Sequence, residues 1–144
     1  MKNFCRKYWY VLLAVTVFIM WAPLRGLARR RDLDSQSDIV DGAAKKLKDS
    51  EPRTLSDYEL VAIANKIEVD LMSDWSEDES DAIAQVMKCK NTADWYALVS
   101  EFGTRKPWGV FREAIALPTA LKRYLDAEDY AMVQNYINGI GGVL

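Results

Sequence analysis

The side chains best equipped for chemistry in this chain are carboxylates, because it contains no histidine. Histidine is the commonest general base near neutral pH and the commonest metal ligand, so Ser-His and Cys-His arrangements are excluded. The two cysteines, Cys5 and Cys89, form neither a disulfide framework nor a zinc site. The densest acids are Glu77, Asp78, Glu79 and Asp81. They suit the negative first turn of a helix, which the helix dipole favours, better than a calcium loop. Asp32, Asp34 and Asp38 imitate the start of an EF-hand loop. However, Ser37 stands where the turn glycine belongs and Ala43 where the bidentate glutamate belongs. A pair of carboxylates can cleave sugars without histidine. Glu68 and Glu113 are the candidates, and a solvated helix face accounts for both. No catalytic, cofactor-binding or metal-binding residue follows from these patterns, and no cofactor is expected.

The segment Thr104-Arg105-Lys106-Pro107-Trp108-Gly109 carries a different chemistry. It combines two cations and a tryptophan with a turn outside any helix. Loops carry function more often than the elements they join, and Arg and Trp are enriched at binding hot spots. Arg105, Lys106 and Trp108 are therefore the expected protein-contact residues. The competing reading makes the segment a connector whose Trp108 plugs the core. Trp95, Trp108, Phe111, Tyr124, Tyr130 and Tyr136 could line a binding cleft, but residues at helical spacing are more often core, which is the expectation for all of them but Trp108.

These residues must be positioned by a chain whose charge is unevenly spread. Residues 1–31 hold seven basic side chains and no acid, which leaves 12 of the 19 basic and all 21 acidic side chains to residues 32–144, a net of −9. An acidic domain repels phosphate backbones, so no nucleic-acid partner is expected. Tyr8 to Leu24 (YWYVLLAVTVFIMWAPL) carries no charge. Its length is at the low end of the range of about 17–25 residues for a membrane-spanning helix. Tyr8, Trp9, Tyr10 and Trp21 resemble interfacial anchors, and Arg25, Arg29, Arg30 and Arg31 suit anionic head groups. A single-pass membrane anchor over 1–24 is the expectation. Burial in the apolar interior of an assembly comes second, and a cleaved signal peptide third. Basic residues on both sides leave the orientation nearly tied.

Residues 25–53 read as a basic-to-acidic linker containing a short helix, Ile39 to Asp49, ended by Pro52. Residues 54–144 read as five helices. The first opens at Thr54, with Asp57 three residues on, and presents Leu60, Ala64, Ile67 and Leu71 on one face. The second opens at Ser76 with Glu79 in the capping-box position and buries Ala82, Ile83, Val86 and Met87. The third opens at Asn91, presents Trp95, Leu98, Val99 and Phe102, and ends at Gly103. The fourth region, Val110 to Leu125, contains Pro118 and should bend or split there. The fifth opens at Asp126, turns Tyr130, Val133 and Ile137 inward, and closes at Gly139. A loose tail follows. No strand is expected.

Landmarks in order over residues 60–138 resemble one annexin repeat. Leu71-Met72-Ser73-Asp74-Trp75-Ser76-Glu77-Asp78 stands where the family has its first, glycine-rich turn. Helices like DAIAQVM and ADWYALVSEFG follow. Pro118-Thr119-Ala120-Leu121-Lys122-Arg123-Tyr124-Leu125 matches the Leu-Lys segment, and Glu128 to Ile137 the last helix. Phe102-Gly103-Thr104-Arg105 is similar to the form found in bacterial and phage annexin-like modules. The resemblance implies a five-helix bundle. Its calcium site is not carried over, because Ser73 and Trp75 replace the two glycines and Tyr124 replaces the distal acid.

The expected protein is thus all-α: an N-terminal transmembrane or assembly-buried helix followed by a five-helix annexin-like bundle. The expected function is that of a non-enzymatic, membrane-anchored structural or interaction protein. Residues 8–24 would meet a bilayer or the apolar interior of an assembly, and the helical domain a protein partner, with homo-oligomerisation left open. A phage virion or assembly component is one version of this reading. A membrane-tethered peptidoglycan hydrolase is the enzymatic alternative.

Overall fold

The computed structural model describes residues 33–73, 78–109 and 113–144. All of these except Leu33 and Asp34 belong to one unit, Ser35–Leu144. The expected anchor over 1–24 lies outside the described residues. Among the described residues, no helix is long and apolar enough to cross a membrane.

The described chain is mostly helical. Helix α1 runs through residues 33–48, longer than the expected Ile39–Asp49 helix, so six residues assigned to linker are helical. It buries Ala43, and Ile39 and Leu47 pack against the core. Helix α2 is Asp57–Met72. Its expected face is buried, with Ile63 added. Helix α3 is Glu79–Val86, α4 is Thr92–Phe102 and α6 is Ala127–Gly139. Between α4 and α6 lie two short strands and helix α5, Leu117–Tyr124. Helix α2 is central and packs against α3, α4 and α5, while α6 packs on α3. Trp95, Phe102, Ile67, Met72, Leu98, Leu117, Leu121 and Ile137 are fully buried where these helices meet.

Local chemistry explains most helix starts. Asn91 caps α4 by accepting from Asp94 N, and Asp126 caps α6 by accepting from Glu128 N and Asp129 N. Two starts differ from expectation. The cap of α2 is Ser56, which forms a reciprocal capping box with Glu59. Thr54, the expected start, has Asp57 rather than Glu or Gln three residues on, and its hydroxyl donates to Asp94 Oδ2 at 2.6 Å. The cap of α3 is Asp78, accepting from Asp81 N; the expected cap, Ser76, lies outside the described residues.

The region around Pro118 also departs from expectation. Pro118 falls in the first turn of α5, where its missing N–H costs nothing, so α5 begins there rather than bending. Ahead of it comes a strand pair that the sequence did not announce. Strand β1, Thr104–Arg105, pairs antiparallel with β2, Ile115–Ala116. Each strand is too short to show alternation. Gly103, at φ 59°, makes the turn out of α4 that a side chain would strain.

The C-terminal tail is not loose. Gly142 N donates to Ile137 O at 2.9 Å, and Trp95 Nε1 donates to Val143 O at 3.0 Å. Thr92 Oγ1 donates to Ile140 O at 2.7 Å. A Cβ on Gly142 would lie 2.7 Å from both Trp95 Cδ1 and Ile137 Cγ2. Lacking one, the backbone there can rest directly on the indole.

Candidate protein-contact site

The segment that follows α4 divides into an inward and an outward half. Arg105 turns inward onto α2. Its Nη1 donates to Asn65 Oδ1 at 2.9 Å and to Glu68 Oε2, and its Nε donates to Phe102 O at 3.0 Å. Its guanidinium carbon lies 4.9 Å from the centre of the Phe102 ring, and its side chain is only 16% exposed. Thus β1 brings Arg105 back against the helices that precede it. Arg105 is thus a buttress between β1 and α2, with little of its side chain left to solvent. Glu68, one of the two carboxylates considered for sugar cleavage, is held in the same ion pair.

Lys106 and Trp108 face outward. Pro107 between them is buried, which alternates the direction of the segment. Trp108 N donates to Met72 O at the end of α2, at 3.0 Å, so the backbone under the indole is fixed. The indole itself is 58% exposed. The alternative in which Trp108 plugs the core is therefore excluded. Among the other aromatics, Trp95 is fully buried, while Tyr124, Tyr130 and Tyr136 are half-buried against the core; Phe111 lies outside the described residues. The expected interface residues Tyr8, Trp9, Tyr10, Trp21, Arg25, Arg29, Arg30 and Arg31 lie outside them too.

Two buried carboxylates escaped the sequence reading as structural groups. Asp94 is fully buried and accepts four hydrogen bonds. They come from Thr54 N (2.7 Å), Leu55 N (3.0 Å), Lys90 N (3.0 Å) and the Thr54 hydroxyl. Burial by itself pushes its carboxyl up, but the hydrogen bonds from Thr54, Leu55 and Lys90 together hold it below the usual value. Asn91 Nδ2 adds a bond to Pro52 O at 3.0 Å. The pair clamps the segment before α2 onto the start of α4. Beside the clamp, burial pushes the Cys89 thiol up to about 12, with the Asp94 charge adding to the effect. That places Cys89 among inert structural cysteines.

Asp70 is the second buried carboxylate. Its Oδ1 accepts from Lys66 Nζ at 2.7 Å, and the same ammonium lies 3.1 Å from Asp81 Oδ2. The bonds to Asp70 and then Asp81 push the Lys66 ammonium up. Among the described residues, Asp70 Oδ2 has no hydrogen-bond partner.

Of the dense acids, Asp78 caps α3 and Asp81 meets Lys66, while Glu77 lies outside the described residues. Glu79 instead joins Asp126 and Asp129, their carboxylate oxygens within 4.8 Å of one another. The starts of α3 and α6 bring these acids together, and no spacing in the sequence could show it. Both helix dipoles favour negative charge there, and Asp126 Oδ1 already accepts two backbone bonds.

No family model matches this chain, and no curated protein or solved structure matches it.

Proposed function

We propose that this chain is a non-enzymatic interaction protein that binds a protein partner through Lys106 and Trp108, with residues 8–24 holding the helical domain at a membrane or inside an assembly. The observation that carries this reading is the Trp108 indole, exposed at 58% on a backbone that its own N–H ties to Met72 O. A large aromatic on an anchored stretch of backbone needs little chain ordering on binding and offers much contact area. Lys106 adds a cation beside it on an otherwise acidic domain. Arg105 supports the loop from beneath rather than touching the partner.

The relation to annexin repeats belongs to the same proposal. Helices α2 to α6 follow one another in the order the resemblance implies, which supports it. Ser73 and Tyr124 stand where that family has calcium-supporting residues, so the proposed binding does not depend on calcium. Membrane attachment rests on the uncharged run Tyr8 to Leu24 and its aromatic and basic flanks.

The test is co-purification of partners with the full chain and with Lys106→Ala/Trp108→Ala, after thermal melts establish that the variant is folded. The folded variant should lose a partner that the wild type retains. Retention of every partner by the folded variant refutes the loop as the contact site.

A further inference from the structure

A groove of about 310 Å3 lies between α1, α4 and the start of α5. Its walls include Ile39, Ala43, Trp95, Tyr96, Val99 and Pro118. Along the α1 side run Asp38, Gly42 and Lys46, spaced four residues apart and so forming one ridge of the helix. Glycine is among the least favourable residues for a helix interior. Among the described residues nothing demands it here, since a Cβ added at Gly42 meets no atom within 4 Å. Asp38 and Lys46 are both exposed, and among the described residues neither has an ion-pair partner. Lys46 stands over the Tyr96 ring, 5.1 Å from its centre. The helix dipole favours a base in the last turn of α1, where Lys46 lies. It accounts neither for Asp38, beyond the first described turn, nor for Gly42 between them.

The ridge is its own complement. It reads negative, notch, positive, with the charges equally far from the notch. A copy laid antiparallel across Gly42 sets each Asp38 beside the other copy's Lys46, about 6 Å along the axis on either side of the crossing. Ridges of this spacing favour helices crossing at about 50°, the commonest packing class. We propose that the α1 side of this groove is a self-association surface, where α1 of a second copy of this chain crosses antiparallel at Gly42. This surface is separate from the Lys106–Trp108 loop, so each stands or falls alone. The α1 face in this unit is about 21 Å long and 10 Å wide. A standard stable interface takes about 800 Å2 from each partner. The dimer is therefore weak in dilute solution and forms where copies are crowded.

Sedimentation equilibrium of the full chain in nonionic detergent, up to about 1 mM protein, tests it. Asp38→Lys and Lys46→Asp should each weaken association about tenfold or more, since each sets like charges together twice. The double variant should regain association, because the exchanged pattern is again self-complementary. Mixing the two single variants should give a heterodimer that neither forms alone. Gly42→Ala should raise the melting temperature and still weaken association, which separates the surface from the fold. The proposal is overturned if the wild type stays monomeric or if the single variants associate like wild type. It is equally overturned if neither the double variant nor the mixture regains association, the pattern expected of an unrelated partner in the groove. Undiminished association of Gly42→Ala would place any contact elsewhere and also overturn it.

Discussion

The two ends of α2 treat a buried carboxylate in opposite ways. Before its N-terminal end, Asp94 receives four hydrogen bonds from the segment leading into the helix and from Lys90. Near its C-terminal end, Asp70 receives one among the described residues, from a lysine whose side chain is 44% exposed, and its other oxygen has no partner among them. Burying a charge is costly unless hydrogen bonds replace the lost water. The first end is therefore a clamp, and the second an incompletely satisfied site in an otherwise packed region. Trp108 is tied to that second end through Met72 O. The fold is fastened at one end of α2 and presents its exposed aromatic at the other.

The sharpest way to break this contrast is Asp94→Ala. It leaves the backbone donors of Thr54, Leu55 and Lys90 without their acceptor and should cost about 3–5 kcal/mol in a urea titration. A loss below about 1 kcal/mol would mean that the clamp is replaceable by water.

Acid should act through the same group. The folded-state value of Asp94 is depressed, so its contribution is complete above the ordinary Asp value of about 3.9 and is lost as pH falls through the folded value. Melting temperatures should fall in that window, and Asp94→Asn should show a shallower fall than wild type. Parallel curves would assign acid sensitivity to other carboxylates.

Asp70→Asn should matter far less, staying within about 1 kcal/mol of wild type, because the change removes a buried charge that is only half satisfied. A cost as large as that of Asp94→Ala would erase the contrast. Smallest of all, Lys106→Ala/Trp108→Ala should stay within about 0.5 kcal/mol of wild type, since both side chains point to solvent. A larger loss would show that the indole supports the fold.

What could be read from the sequence were the features that one helical turn contains. Asn91 and Asp126 cap their helices through donors two or three residues away, and both starts agree with expectation. The buried faces of α2, α3 and α4 follow from apolar spacing alone. The start of α2 is expected at Thr54, yet Ser56 with Glu59 forms the capping box, and Thr54 turns elsewhere. Packing decides, because it brings Asp94 within 2.6 Å of the Thr54 hydroxyl from 40 residues away. The candidate site obeys the same rule. That residues 104–109 combine two cations with a tryptophan is visible in their types. That Arg105 faces α2 while Trp108 faces water depends on Glu68, 37 residues earlier, and on Met72 O. The C-terminal glycines look like a free tail until Trp95 supplies the surface they lie on. Backbone periodicity and capping act over a few residues and are written in order along the chain. Ion pairs, buried carboxylates and the direction of a loop side chain depend on neighbours that only the packed helices bring together.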